Sequence, residues 1–135
     1  MACECDPRLV EGVRLFNQRE FFACHDELEE LWSDTLGVDR RFYQGLIHAA
    51  VALHHFEEGN LGGARRMSIS TRRYLQPYSP QHHGIDVEAF LRQFAACVAE
   101  LDTSDGGYPQ GVSLDFDRIP TITLNTASAR TEVPT

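Results

Sequence analysis

Residues 21–32, FFACHDELEELW, form the stretch that decides the fold. At 100° per residue, Phe21, Leu28 and Trp32 lie on one face of a helix, with His25 among them and Glu29 at its border. The other acids of the stretch lie roughly opposite: Asp26, Glu27 and Glu30. The pattern predicts a helix that turns an imidazole and a carboxylate inward. Burying these groups is unfavourable unless each has a partner, a proton or a metal, so the segment is a candidate site.

Cap and stop residues outside this stretch predict four further helices. Asp6-Pro7 begins the first helix, Gly59 and Asn60 separate the third from the fourth, and Asp86 caps the fifth. Asp39 is predicted to cap the third helix. The predicted helices cover residues 7–17, 20–34, 40–58, 61–76 and 87–101. Residues 78–84 are predicted to be a loop that holds His82 and His83.

The short connections between helices imply antiparallel neighbours. The predicted fold class is therefore all-α, a compact antiparallel bundle of about five helices with an extended C-terminal tail. A length of 135 residues with 42% apolar content suits a single domain, which we place at residues 7–101. Residues 102–124 are predicted to be a tail that packs on the bundle through Ile119, Ile122 and Leu124. Residues 125–135 are predicted to be disordered.

Composition narrows the function classes. A net charge of −8 argues against general nucleic-acid binding, and no apolar run reaches the roughly 18 residues of a membrane span. The N-terminal residues lack the layout of a signal peptide, so we expect a cytoplasmic protein. All twelve basic residues are Arg, which excludes lysine chemistry within this chain. The four cysteines are expected to be reduced thiols. A protein partner or a homo-oligomer stays open.

The candidate site is built on His25 and Glu29, whose spacing is one turn of helix and a chelating geometry for zinc or iron. Gln44, His48 and His55 lie within about 40° of one another on the third helix. If this stripe faces the second helix, one pocket forms from His25, Glu29, His48 and His55, with Trp32 and Gln44 in support. The cofactor expected there is a divalent metal, Zn, Mn or Fe. Trp32 is expected to pack in the core by default, and Glu29 is an available partner for its indole N–H. His54 is predicted to lie on the surface, and His82 or His83 is a weaker candidate for a third ligand.

Five blocks of sequence, in order, resemble a known family. The blocks are Phe16-Asn17, Phe21 with His25 to Trp32, Phe42 to His48, Glu58 to Ala64, and Gly84 to Asp86. Together they resemble the bacterial and archaeal family catalogued as domain of unknown function 309, over about residues 7–101. The resemblance implies a compact helical bundle, and it carries the family's suspected metal-binding motif, HxxxExxW, onto His25 and Glu29. Asp26 stands where the family usually has Glu. His48 gains no support from the resemblance, because that position is often Gln.

Three functions stay open from the sequence. The first is a small enzyme that binds a metal or ligand through His25 and Glu29. The second is a noncatalytic protein-interaction or structural module in which His25 and Glu29 form a hydrogen-bonded core pair. The third is a pocket for a small cationic or polar ligand without chemistry. Enzyme status is open, because Ser33 and Cys24 lie in no recognisable nucleophile motif.

Overall fold

The computed structural model of the protein describes residues 6–102, 109 and 111–125. Five α-helices dominate this part of the chain, and the predicted all-α fold is confirmed. A two-stranded antiparallel hairpin lies between the fourth and fifth helices. The elements are α1 (Pro7–Asn17), α2 (Phe21–Ser33), α3 (Asp39–Glu57), α4 (Leu61–Leu75), β1 (Gln81–His82), β2 (Ile85–Asp86) and α5 (Val87–Cys97). Among the described residues, no helix has both the length and the apolar content that a membrane crossing needs.

Three of the predicted helix caps are confirmed. The side chain of Asp6 accepts the N–H of Arg8, that of Asn60 accepts the N–H of Gly63, and that of Asp86 accepts the N–H of Ala89. Each bond satisfies one of the amide groups that a helix leaves unpaired at its start. Gly59 has a φ of +84°, which ends α3 in the left-handed conformation that glycine adopts at low cost.

The predicted cap at Asp39 is wrong. Asp39 is the first residue of α3, and Val38 occupies the cap position without a side-chain bond. The Asp39 carboxylate instead accepts hydrogen bonds from His82 and His83 of the hairpin region. The predicted loop at 78–84 therefore contains the first strand and the turn of a short β-ribbon, and its His82 ring packs on Phe42 in the first turns of α3.

α3 is enclosed by its neighbours. It contacts α2 on one flank and α4 on the other, while α1 packs on α2. Gly45 allows the close approach of α4, because a Cβ atom at that position would lie only 2.6 Å from Cδ2 of Leu75. Ten residues of α3 are buried: Phe42, Tyr43, Gly45, Leu46, Ile47, Ala49, Ala50, Ala52, Leu53 and Phe56.

The segment after α5 packs on the bundle through a few specific contacts. Ile122 is buried, and Ile119 and Leu124 are half-buried. The side-chain amide of Asn17 donates to the carbonyl of Ile122 and accepts its N–H, at 2.9 and 2.7 Å. The N–H of Asn125 donates to the carbonyl of Gly84. Apart from Asn125, the residues predicted to be disordered lie outside the described part of the chain.

Replacing Asn17 by Ala is expected to destabilise the fold by about 1–3 kcal/mol, because both backbone groups of buried Ile122 lose their partner. The measurement is urea unfolding followed by circular dichroism. Gln18→Ala is the control, since that side chain, directly after α1, accepts a bond from Arg14 of that helix, and we expect a change within about 0.5 kcal/mol. Equal losses for the two variants would show that Asn17 does not hold this segment.

Candidate functional site

The buried face of α2 is rotated from the predicted one. Phe21, Cys24, Leu28 and Leu31 form it, so that the core contains Cys24 and Leu31 rather than Trp32. His25 and Trp32 consequently lie at the edge of the core and are half-buried. The prediction that Glu29 points inward is wrong, because 53% of its side chain is exposed.

His25 lies between two carboxylates of its own helix. Its Nε2 atom is 3.4 Å from Oε2 of Glu29, and its Nδ1 atom is 3.5 Å from Oδ1 of Asp26. Both distances exceed those of ordinary hydrogen bonds. Nδ1 is buried and has no hydrogen-bond partner in the described structure. The His25 imidazole therefore lies between two carboxylates but forms a close hydrogen bond with neither. A structural core pair of His25 and Glu29 would have such a bond.

An apolar pocket of about 160 Å³ opens beside His25, in the groove between α2 and α3. Phe21, Phe22, Val51 and His54 form the rest of its wall. The ring centroid of Phe22 lies 6.1 Å from that of His25 and 5.8 Å from that of His54. His54 lies at the surface, as predicted, with 35% of its side chain exposed, and it lines the same pocket as His25.

The predicted stripe on α3 lies on the side of α4. His48 Nδ1 bonds to the hydroxyl of Ser70 at 2.8 Å, and its ring packs edge-on against Tyr74. His55 Nδ1 lies 3.3 Å from the side-chain amide of Asn60. The structure therefore brings His25 and Glu29 together but does not bring His48 and His55 to them. The half-buried Gln44 belongs to the same stripe, whose side is set by the close approach of α4 at Gly45.

Burial favours the neutral forms of the two histidines on this stripe. Desolvation lowers the pKa of His48, and the charge of Arg73 lowers it further. Desolvation also lowers the pKa of His55, with smaller contributions from His54 and Arg66. Both imidazoles act here as packed, hydrogen-bonded groups between α3 and α4.

Trp32 is covered by an arginine. The guanidinium carbon of Arg40 lies 3.9 Å from the centre of the indole ring, which is the geometry of a cation–π interaction. A bond from the Trp32 N–H to Glu29 is absent, and the buried Nε1 atom has no hydrogen-bond partner in the described structure. His25 and Trp32, both in the HxxxExxW motif, thus each retain an unpaired buried nitrogen.

A second cluster of ionisable groups joins the hairpin to α3. His82 Nε2 is 2.8 Å from Oδ1 of Asp39, and His83 Nε2 is 2.9 Å from Oδ2. Partial burial raises the pKa of the Asp39 carboxyl, but the hydrogen bonds from His83 and His82 outweigh it, and the net pKa is below its usual value. Sequence reasoning missed this cluster, because Asp39 and the two histidines are more than 40 residues apart.

The two described cysteines are buried free thiols, as predicted. Burial raises the pKa of Cys24 to about 12 and that of Cys97 to about 11. Thiols with such values are almost fully protonated at neutral pH and are poor nucleophiles and metal ligands. Cys3 and Cys5 lie outside the described residues.

The fold and these clusters define a class: an all-α bundle with histidine–carboxylate groups on and beside its central helices. The model of the family described as "Domain of unknown function (DUF309)" matches residues 9–67. The resemblance stated from the sequence is therefore confirmed over these residues. The matched residues include α2 and α3, hence His25, Glu29, Trp32 and Asp39.

Two relatives match parts of the chain. The "Uncharacterized protein YpuF" of Bacillus subtilis is 41% identical over 94 residues, which cover 67% of this chain and 54% of the relative. An "Uncharacterized protein" of Aquifex aeolicus is 42% identical over 53 residues, which cover 38% of this chain and 16% of the relative. The chain thus spans about half of the first relative and a smaller part of the second.

The lowered pKa of Asp39 predicts a pH-dependent contribution to stability. A carboxyl with a depressed native pKa stabilises the fold above its unfolded pKa of about 4, and this contribution is lost as the pH falls through the native value. The free energy of unfolding should therefore differ most between wild type and Asp39→Asn near neutral pH. Urea unfolding between about pH 7 and pH 3 is expected to show that difference shrinking only below about pH 4. A difference that stays constant with pH would contradict the assignment.

Proposed function

We propose that this protein binds a divalent metal ion, Zn, Mn or Fe, through His25 Nε2 and Glu29 Oε2. The pocket beside His25 would then receive part of a small ligand. The observation that carries the proposal is the 3.4 Å separation of the two donor atoms across one helical turn. It is too long for a good hydrogen bond, whereas two donors each about 2.1 Å from one tetrahedral ion are about 3.4 Å apart.

The surroundings of His25 fit a metal ligand. Histidines that bind metals usually direct the other ring nitrogen at a carboxylate, which fixes the tautomer. Here Asp26 Oδ1 lies 3.5 Å from the buried Nδ1 atom, so a small movement would make that bond. The neighbouring acids Glu27 and Glu30 and the net charge of −8 add a field that attracts cations.

Two protein donors leave coordination positions for water or a ligand. The adjacent pocket of about 160 Å³ is walled by Phe21, Phe22, Val51 and His54. An apolar cavity of about 150 Å³ accepts a group as large as benzene, which sets the size of what this pocket would hold. The ligand class supported is a small molecule with one metal-binding group and one apolar group. A bound divalent ion would also polarise a coordinated water or carbonyl.

The test is calorimetric titration of the tag-free full chain with Zn²⁺, Mn²⁺ and, without oxygen, Fe²⁺. The titrations use a His83→Asn background, which removes one histidine of the second cluster. His25→Gln and Glu29→Gln are expected to weaken binding by roughly tenfold or more, because each removes a donor. Glu30→Gln is the matched control, since it removes another exposed acid, one position further along α2.

Binding should also raise the melting temperature of the parent and of Glu30→Gln, but not of Glu29→Gln. Two results would overturn the proposal. One is an absence of binding heat with all three ions. The other is equal affinity in Glu29→Gln and Glu30→Gln. Either would favour the noncatalytic helical module.

A further inference from the structure

The cluster of Asp39, His82 and His83 lies where the hairpin meets the first turn of α3. It shares no residue with the His25–Glu29 pair, and its two histidines lie outside the residues that the family model matches. The side chains of Asp39, His82 and His83 are 30%, 26% and 40% exposed. Solvent and dissolved ions therefore reach all three.

The turn of the hairpin explains how two consecutive histidines reach one carboxylate. Successive side chains of a β-strand point to opposite faces. His83 leaves the strand with a φ of +51°, and Gly84 follows at +78°. Positive φ at both central residues of a two-residue connection is what a type I′ turn requires. This left-handed step brings the His83 ring to the same side as His82, so that both Nε2 atoms face Asp39.

The three side chains are a donor set for a transition metal. One ligand atom from each of Asp39, His82 and His83 can be chosen so that all three lie within 4.8 Å of one another. Two imidazoles with one carboxylate, and positions left open to water, suit divalent zinc and iron. Donors at right angles around an ion, each about 2.0–2.2 Å from it, are about 3 Å apart. His82 and His83 contact different oxygens of the Asp39 carboxylate, at 2.8 and 2.9 Å, so the donors must move by a few tenths of an ångström to hold one ion.

Aromatic packing holds the two imidazoles in place. The ring centroid of His82 is 4.6 Å from that of Phe42 and 4.7 Å from that of Tyr78. The ring of His83 is stacked parallel to Tyr43, at 6.2 Å and 11°. The hydroxyl of Tyr78 donates to the carbonyl of Val38, which anchors that ring beside α3. The two imidazoles are therefore already ordered before an ion binds, and binding loses less side-chain conformational entropy.

We propose that Asp39, His82 and His83 form a second metal site, which takes a divalent transition-metal ion and ties the hairpin to α3. In the metal-free form, each Nε2–H donates to the carboxylate. Binding requires the proton on each Nε2 atom to leave that nitrogen. The neutral ring then carries its proton on Nδ1, and the lone pair of Nε2 faces the ion.

The experiment uses the tag-free full chain in a His25→Gln background, which removes the pair of the proposed function. ZnCl₂ is titrated calorimetrically, and Co²⁺ is titrated with its visible absorption as a report of coordination. His83→Asn is the main variant, because Asn-Gly is a preferred pair in type I′ turns and retains the hairpin. His48→Gln is the control, since His48 bonds to Ser70 outside the cluster. Asp39→Asn is the second variant.

We expect the background protein and His48→Gln to bind Zn²⁺ equally. His83→Asn and Asp39→Asn should each bind roughly tenfold or more weakly and lose the zinc-induced rise in melting temperature. The proposal is overturned if the background protein binds no Zn²⁺, or if both cluster variants bind as His48→Gln does. Because each proposal is tested with the other site disabled, failure of this one leaves the His25–Glu29 result intact.

Discussion

The positions of the polar residues of α3 depend on the packing of this helix between α2 and α4. Gly45 has no side chain to keep Leu75 away, and α4 therefore lies close along one flank of the helix. With its flanks occupied, α3 cannot rotate, and each of its polar residues is committed to one neighbour. His48 and His55 are assigned to the α4 side, whereas His54 and Val51 line the groove next to α2. The first turn of α3 is held in place in the same way. This fixes the position of the Asp39 carboxylate, to which the hairpin histidines bond.

Two histidine–carboxylate groups result, and they are assembled by different means. The group at His25 is local, since Asp26 and Glu29 belong to the same helix and need only its periodicity. The group at Asp39 is long-range and exists only because a left-handed turn at His83 aligns two adjacent rings. A local group survives small shifts of packing. The group at Asp39 forms only when the hairpin packs against α3.

The sequence predicts well what local chemistry controls. Asp6, Asn60 and Asp86 cap their helices because a short polar side chain finds an amide two or three residues away. The outward direction of Glu29 was not predictable from periodicity alone, because Cys24 counts as weakly apolar in sequence, yet its full burial rotates the core face of α2 away from Glu29. Asp39 reads as a cap from sequence, but two partners far along the chain compete for its carboxylate. One feature of the sequence does indicate the hairpin that brings His82 and His83 to Asp39. His83-Gly84 stands between two short segments, which is the spacing of a tight hairpin.

We propose that this fold presents nitrogen and oxygen donors to divalent metal ions at two places, on α2 at His25 and Glu29 and where the hairpin meets the start of α3. Anomalous diffraction at the zinc absorption edge, from crystals of the full chain grown with ZnCl₂, tests it most directly. The account predicts one peak in bonding contact with His25 Nε2 and Glu29, and another with Asp39, His82 and His83. Peaks confined to other surface groups, with both clusters free of zinc, would contradict it.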